Sequence, residues 1–396
     1  MHTARLPYVQ HQGIDRHPGS IMTMAVNENG TILASGGSQG TWLWNVANMS
    51  SLRRPSGAFS RGATLVLIWA RQTDNVFEET FVIQIPEPSK ITAMAFDSTN
   101  NRLCLCSRND IVQSWAISKD PVTGKWMPTN IFSWKFSRLS PQAITFAAFD
   151  NSQDRDIIVL GFHNSGPVYT LRGKTGETAS AWSVGAKIGD AAFHWKDGVF
   201  CVEDPYSGPS LFWLSDQIKS NGYEIGRSRG DVRPRKVRFG EQGATLVCGS
   251  DHGCVYVFDT RSGAELAVLG VGSTEWVQVV ETAEVNDVSV IFAAQTGSLD
   301  SSEEIFVWKR AQPARNTGTT LEKLVWVAKA LVVLGFLAFV YQNVEVTVGP
   351  MRKVTRAFGG AQARTTNLKG SVSADFKGGA AKDSKDFVVV DVRRQL

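Results

Sequence analysis

A strand–turn–strand pattern recurs six times within the first 310 residues, and it constrains the fold more than any other feature of the chain. Its clearest copy is LVCGSDHGCVYVFDTRSG (246–263), in which a turn ending in Gly separates two apolar strands and the second strand ends in Phe258-Asp259. Further copies occupy residues 32–45, 103–116, 158–172, 199–215 and 290–309. A unit of this size cannot bury its apolar surface alone, so the pattern predicts an array of stacked repeats.

Each copy is preceded by another alternating segment, and these segments begin at residues 21, 91, 143, 188, 233 and 277. The intervals between them are 70, 52, 45, 45 and 44 residues. A four-stranded propeller blade takes roughly 40–45 residues, with a Trp-Asp-like end to its third strand. The pattern therefore resembles WD40 repeats, and this resemblance implies an all-β propeller over most of residues 20–310.

The first interval is too long for one blade and too short for two. Within it, ATLVLIWAR (63–71) and ETFVIQI (79–85) read as the last two strands of a blade that lacks its first two. We therefore predict a propeller that is seven-bladed in plan, with one blade incomplete. The N-terminal RLPYVQHQGI (5–14) is expected to add an outer strand to the last blade, as closing strands do in WD40 proteins.

A closer resemblance is to a group of fungal WD40 proteins with a C-terminal membrane span. The residues that carry it are GSDHGCVYVFDTRSGAEL (249–266), GPVYTLRGKTGE (166–177) and IMTMAVNENGTILASGG (21–37). This resemblance implies an architecture and no particular reaction.

Residues 324–341, LVWVAKALVVLGFLAFVY, are apolar except for Lys329. A membrane-spanning helix needs roughly 20 such residues. Lys329 lies near the start, where a long side chain can reach the headgroups, and Trp326 and Tyr341 lie near the two ends, where interfacial aromatic residues concentrate. We predict a transmembrane helix over 323–342, with the propeller in the cytosol, the tail beyond the membrane, and an endomembrane such as the endoplasmic reticulum favoured.

The predicted domains are the propeller (1–310), a linker (311–322), the span (323–342) and a mostly disordered tail (343–396). The net charge is +4, and the tail carries ten Lys/Arg against five Asp/Glu, so the rest of the chain is close to neutral. A near-neutral propeller does not favour nucleic-acid binding. The closing DFVVVDVRRQL (386–396) could form a strand or bind something.

Candidates for catalysis were weighed against structural alternatives. Cys248, Asp251, His252 and Cys254 could form a metal or nucleophilic site, but zinc sites usually have a second ligand pair, and Ser-Asp-x-Gly turns need no metal. The stretch GGSQG (36–40) matches a serine-hydrolase elbow, but a strand follows where that elbow needs a helix. Five scattered cysteines indicate reduced thiols, and Cys104 and Cys106 lack redox spacing. We predict no catalytic residue, no metal and no cofactor.

Two basic features are candidates for binding a partner. GRSRGDVRPRKVRFG (226–240) contains one acidic residue and a run of basic ones that could contact an acidic partner or an anionic membrane. VFDTR (257–261) resembles the box with which WD40 substrate receptors of cullin-type ubiquitin ligases bind the ligase. The predicted partner-binding residues are Arg227, Arg229, Arg233, Arg235 and Arg261.

The predicted function is a membrane-anchored WD40 scaffold that binds proteins on the propeller face and catalyses nothing. The expected partners are a peptide or domain of another protein and the lipid bilayer through 323–342, with no nucleic acid and no small-molecule substrate. One alternative is a Sec12-like nucleotide exchange factor of the endoplasmic reticulum, although GGSQG lacks the Asn and acidic ligands of that family's potassium-binding loop. The other is a cullin-type substrate receptor that would use Arg261.

Overall fold

The computed structural model describes most of the chain up to residue 311 and two short pieces beyond it. The described ranges are 8–17, 19–27, 29–37, 40–52, 64–71, 77–85, 89–148, 154–226, 233–295, 303–311, residue 329 and 387–392. Across these residues the ordered elements are almost entirely β-strands, joined by turns and by the single-turn 3₁₀ helices Trp195–Asp197 and Glu241–Gly243.

Six sheets of the described chain have four antiparallel strands each, and we number them as blades in chain order. Blade 1 contains β2 (Ile21–Val26), β3 (Ile32–Gly37), β4 (Gly40–Asn45) and β5 (Ser50–Ser51). Blade 2 contains β8 (Ile91–Asp97), β9 (Arg102–Ser107), β10 (Ile111–Lys119) and β11 (Trp126–Lys135). Blade 3 contains β12 (Pro141–Phe146), β13 (Ile157–Gly161), β14 (Pro167–Leu171) and β15 (Thr178–Ser183).

The other three blades repeat this order. Blade 4 contains β16 (Asp190–His194), β17 (Val199–Asp204), β18 (Gly208–Trp213) and β19 (Lys219–Gly222). Blade 5 contains β20 (Val237–Gly240), β21 (Thr245–Cys248), β22 (Cys254–Asp259) and β23 (Glu265–Gly270). Blade 6 contains β24 (Val277–Val285), β25 (Val288–Gln295), β26 (Glu303–Arg310) and, as its outer strand, the N-terminal β1 (Tyr8–His17).

The first strands of the blades lie side by side. Contacts run from β8 to β12, β16, β20, β24 and finally β2. The six copies found in the sequence correspond to the second and third strands of these blades, and the alternating segments before them correspond to the first strands. The structure therefore confirms the prediction of an all-β propeller.

Apolar side chains fill layers between neighbouring blades. Phe200 of blade 4 packs with Ile158 and Leu160 of blade 3, and Phe258 of blade 5 packs with Cys201 and Leu211 of blade 4. A fully buried side chain of this size contributes about 1.5–3 kcal/mol. Because each blade uses both faces in this way, each needs a neighbour on either side.

The burial that results from packing on both faces is clearest in the second strands. All six residues of β9 and of β17 are buried, and so are all five residues of β13. A strand that is covered on both faces carries a nearly continuous apolar run instead of an alternating one. The sequences RLCLCS, VFCVED and IIVLG follow this rule.

The predicted N-terminal closing strand is confirmed. Strand β1 pairs antiparallel with β26, and Tyr8 at its start is 3% exposed. The Tyr8 hydroxyl donates a hydrogen bond to Glu241 of blade 5, the Arg310 guanidinium pairs with the same carboxylate, and Arg310 Cζ lies 5.6 Å from the Tyr8 ring centroid. Burial, together with Glu241, raises the pKa of Tyr8 to about 12, so the hydroxyl keeps its proton at neutral pH.

The predicted incomplete blade is a three-stranded sheet. It contains β6 (Thr64–Arg71), β7 (Phe77–Ile85) and the C-terminal β27 (Phe387–Val392), in the order β27-β6-β7. Val66 and Ile68 pack against Leu103 of blade 2, whereas Trp69 packs against Leu43 of blade 1. The described residues thus form six complete blades and one three-stranded sheet, which differs from the seven-bladed plan by the missing strand.

Most of the predicted membrane segment and tail lies outside the described residues. Of 323–342 only Lys329 is described, and of 343–396 only β27. Among the described residues, no helix combines the length and the apolar character needed to cross a membrane.

We expect Tyr8→Phe to lower the free energy of unfolding by about 1 kcal/mol, because the substitution removes one buried hydroxyl donor from a charged acceptor. Guanidinium chloride denaturation measures the change. Val9→Ala on the same strand is the matched control, since Val9 is 58% exposed, and we expect it to change stability by less than about 0.5 kcal/mol. Equal losses for the two variants would contradict the role given to the Tyr8 hydroxyl.

Candidate interaction face

Two kinds of connection between strands lie at the same edge of the propeller. Neighbouring strands in a blade are antiparallel, so the turn between the second and third strands and the link from the fourth strand to the next blade lie at the same edge. We call this edge the loop face. In the described chain it is formed by residues 19–20, 89–90, 108–110, 136–140, 162–166, 184–189, 205–207, 223–226, 233–236, 249–253 and 271–276.

Several aspartates at the loop face are hydrogen-bonded within the chain, whereas Glu224 and Glu275 on the same face are exposed. Asp204 accepts hydrogen bonds from the Tyr206 amide at 3.0 Å and from the Ser207 hydroxyl at 2.5 Å. Asp110 accepts one from the Ser140 amide at 2.6 Å. These aspartates stabilise turns, as Asp commonly does, by accepting hydrogen bonds from groups of the loop face itself.

Lys187 lies between two aromatic rings on this face. Its Nζ is 4.9 Å from the Tyr206 ring centroid and 5.5 Å from the Phe162 ring centroid, and it donates a hydrogen bond to the Tyr206 hydroxyl at 3.4 Å. Tyr206 is 45% exposed. A cation held over an aromatic face keeps its position and its charge while remaining accessible to solvent.

Arg233 makes a second pair of this kind. Its Cζ lies 5.2 Å from the Trp276 ring centroid, and its side chain is exposed. The loop that carries Trp276 is held close to the neighbouring turn by Gly253, which has φ +77° and would place a Cβ 1.7 Å from the Ser273 carbonyl oxygen. Any side chain at Gly253 would therefore displace this loop.

Arg108 and Arg138 are two more exposed cations on the loop face. In the described part of the chain, neither these two nor Lys187 and Arg233 form an ion pair with a carboxylate. Together with Lys187 and Arg233, these cations outnumber the exposed carboxylates of Glu224 and Glu275, so positive charge predominates on the described part of the face.

The basic stretch that sequence analysis identified divides into exposed and buried residues. Arg235 is 5% exposed, and its Nε and Nη2 lie 2.8 and 2.7 Å from Glu203 Oε1. Its Nη2 also donates to the carbonyl oxygens of Asp204 and Pro205. This contact joins blade 4 to the link that enters blade 5, which gives Arg235 a structural role.

Burial raises the pKa of Glu203 to about 7, and the adjacent Arg235 guanidinium opposes the increase. The folded protein thus binds this proton more tightly than the unfolded chain does. Glu203 therefore contributes stability that is greatest at acidic pH and is lost as the pH rises through 7.

Lys236 and Arg238 belong to an ion-pair network along the first strands. Lys236 Nζ lies 2.7 Å from Asp190 Oδ1, Arg238 Nη1 lies 2.8 Å from Asp190 Oδ2, and Arg238 Nε lies 3.0 Å from Glu281 Oε2. The network links blades 4, 5 and 6. Its two cations are consequently occupied within the protein.

Arg261 lies at the opposite edge of blade 5. It is exposed in the turn between β22 and β23, where the Asp259 carboxylate accepts hydrogen bonds from the Ser262 amide and hydroxyl, both at 2.7 Å. Arg227 and Arg229 lie outside the described residues. The five predicted arginines therefore do not form one site among the described residues, and partner binding by them stays a prediction.

The Cys-Asp-His-Cys cluster lies in a strand–turn–strand, as its structural interpretation predicted. Cys248 ends β21, Cys254 begins β22, and the His252 ring bridges Asp251 Oδ1 and the Tyr256 hydroxyl, each at 2.8 Å. Burial raises the pKa of the Cys248 thiol and also that of Cys254, which is only partly buried. Thiols with raised pKa values carry little thiolate at neutral pH.

Three further cysteines, Cys104, Cys106 and Cys201, are buried like Cys248. Burial raises the pKa of Cys104 to about 12 and that of Cys106 and Cys201 well above the usual value. Ser38 lies outside the described residues. Within the described ranges, no group of three or more His, Cys, Asp and Glu side chains is arranged to hold a metal ion.

Comparison with known proteins does not assign the chain to a family. No family model matches the chain, and no curated protein matches it. The assignment as a propeller therefore depends on the strand order and pairing of the chain itself.

Sequence analysis did not identify Lys187, Tyr206, Phe162 or Trp276 as binding residues. Each stands alone in its turn, and the pairs form only when neighbouring blades meet. Their position in the repeat could have indicated them, because each lies in a turn or link that the repeat places at one edge of the propeller.

We expect Arg235→Met to lower the free energy of unfolding by about 3–5 kcal/mol, because it leaves the buried Glu203 carboxylate without its partner. Arg233→Met, two residues earlier in the same basic stretch, is the matched control, and we expect it to cost less than about 1 kcal/mol. Denaturant unfolding of both variants measures the difference. Similar losses would show that the two arginines do not differ in the way the contacts indicate.

Proposed function

We propose that this protein is a membrane-anchored interaction scaffold whose propeller binds an acidic segment of a partner protein on the loop face. A propeller suits such a role, because it presents many turns on one rigid ring. The strand–turn–strand copies, with Phe258-Asp259 at the end of the clearest one, support a WD40-type propeller. The proposed activity is binding without catalysis.

The distribution of charge on the loop face carries the proposal. Asp110 and Asp204 accept hydrogen bonds from their own turns, whereas Lys187 and Arg233 have no carboxylate partner among the described residues. A partner that supplies carboxylates would form ion pairs with these cations. Complementary charge of this kind chiefly provides orientation and a fast rate of association.

The aromatic rings define the shape of the proposed contact. Tyr206 and Trp276 hold their cations in fixed positions and add apolar surface beside them. Tyr, Trp and Arg are the residues most enriched at the energetic centres of protein interfaces. An acidic segment with apolar or aromatic neighbours therefore matches this surface better than a uniformly charged polymer does.

The thiol chemistry supports a role without catalysis. A nucleophilic cysteine needs a lowered pKa, and burial raises the pKa of Cys104, Cys201 and Cys248. The His252 ring is engaged on both nitrogens by Asp251 and Tyr256. These contacts are suited to holding the turn that borders the proposed binding surface.

The loop face is tested by reversing its charge. We expect Lys187→Glu with Arg233→Glu to weaken binding of a fluorescein-labelled acidic peptide, such as an alternating Glu-Phe octamer, by at least about tenfold. Arg261→Glu with Lys196→Glu is the matched control, because these two exposed residues give the same change of charge at the opposite edge, and we expect it to leave affinity within about twofold. Fluorescence anisotropy at two salt concentrations measures both.

Two results would count against the proposal. Equal weakening by Arg261→Glu with Lys196→Glu would mean that the peptide responds to net charge, without a site. Unchanged binding in the double variant would remove the loop face as the site. Partners recovered by proximity labelling in cells give a second readout, since those of the loop face should be lost only in the double variant.

The proposed membrane anchor depends on the sequence of residues 323–342. Eighteen positions with one charge are enough to hold a protein in a bilayer. We expect deletion of 323–342 to move the protein from the membrane pellet to the soluble fraction and to change its set of labelled neighbours. An unchanged distribution in carbonate-washed membranes would contradict the anchor and leave the loop-face proposal standing.

A further inference from the structure

The free edge of the three-stranded sheet is completed by the end of the chain. Strand β6 pairs with β7 along one edge and with β27 along the other. The second ladder is antiparallel and unbroken, from Phe387 opposite Ala70 to Val392 opposite Leu65. Without β27, the main-chain amide and carbonyl groups along that edge of β6 would have no strand partner in the described chain, which is the condition that makes sheet edges bind other strands.

Contacts with the neighbouring blades show which blade position β27 fills. Strand β7 contacts β11, the outermost strand of blade 2, so β7 is the outer strand of its own sheet. Strand β27 contacts β3, the second strand of blade 1. The order β27-β6-β7 therefore matches the second, third and fourth strands of a blade, and the described residues supply no first strand there.

The sequence of β27 fits this position. Four second strands in this propeller, β9, β13, β17 and β21, are buried at every residue, and β13 and β17 carry continuous apolar runs. The segment FVVVDV has four consecutive apolar residues and so resembles these strands rather than the alternating outer ones. VFCVED of β17 has the same arrangement, with four apolar residues before its first acidic one.

We propose that the edge of β6 is a strand-binding site, and that Phe387–Val392 is its intramolecular ligand. The site selects an extended, valine-rich segment that runs antiparallel to β6 and enters between blades 1 and 2. Main-chain hydrogen bonds supply affinity, and the apolar layers on both sides supply selectivity. Because the ligand belongs to the same chain, its high effective concentration favours it over any segment in solution.

A consequence concerns the predicted membrane span. A strand bonded to β6 keeps the C-terminus on the propeller side of any membrane, whereas a single crossing at 323–342 puts the C-terminus on the far side. One molecule cannot do both. A molecule that crosses once therefore leaves the β6 edge open to a strand of the same pattern from another polypeptide. This site uses none of the loop-face residues, so it is independent of the loop-face proposal, whereas the single-crossing anchor and the intramolecular pairing exclude each other in one molecule.

The test uses the full chain with the intramolecular ligand disabled. Val388→Pro with Val389→Pro removes two adjacent amide donors, at least one of which faces β6, while Val388→Ala with Val389→Ala keeps both donors. The probe is a labelled synthetic peptide, DFVVVDVR. We expect the proline variant to bind it at least about tenfold more tightly than the wild-type chain does, and the alanine variant to bind it no more than about threefold more tightly.

Disulfide trapping tests the intramolecular pairing without proline. We expect Leu67→Cys with Val390→Cys to form an intramolecular disulfide under mild oxidation, because these positions are opposite each other. Leu67→Cys with Val389→Cys is the off-register control, since successive residues of a strand project to opposite faces. Mass spectrometry of unreduced peptides measures both yields.

The proposal fails if a folded proline variant, judged by circular dichroism, does not bind the peptide. It also fails if the wild-type chain binds the peptide as tightly as the proline variant does. Should the proline variant not fold, the trapping experiment decides, and equal disulfide yields for the in-register and off-register pairs would overturn the pairing.

Discussion

Burial of the second strands on both faces, which is complete in β9, β13, β17 and β21, is the constraint on which the rest of this structure depends. A single blade has too little apolar volume to form a core, so the apolar layers lie between blades. A strand such as β13 or β17 is stable only while a neighbour covers each of its faces. This requirement explains the regular repeat, the closing strand at the N-terminus and the need to fill the position between blades 1 and 2.

The two ends of the chain meet this requirement in different ways. The N-terminal strand completes blade 6 from outside, and its Tyr8, together with Arg310 of the adjacent β26, bonds Glu241 of blade 5. The C-terminal strand enters a sheet that already has two strands and supplies its inner edge. The first addition extends a complete blade, whereas the second fills a place that neighbouring blades have already shaped on both sides.

Electrostatics at the loop face follows from the same architecture. Tight turns need side-chain acceptors, and Asp110 and Asp204 supply them. Lysine and arginine side chains on the links cannot accept hydrogen bonds and so do not stabilise turns in this way. Where neighbouring blades bring a link close to an aromatic ring, as with Lys187 and Tyr206, the cation is held in place without losing its charge. Arg235 differs because its position, two residues beyond Arg233, is already inside the layer between blades.

The sequence by itself determined the all-β class, the six strand–turn–strand units, the first strand before each, and the closing role of the N-terminus. The first three follow from local alternation and from a repeated turn, which are properties of contiguous residues, whereas the closing role of the N-terminus follows from the resemblance to WD40 proteins. The tertiary structure alone decided that Arg235 is buried while Arg233 is exposed, and that Arg261 lies at the other edge. It also decided that Lys187 and Arg233 meet aromatic rings, and that FVVVDV pairs with β6. Each of these depends on which blades are neighbours, and contacts between residues so far apart in the chain leave no local pattern by which they could be recognised.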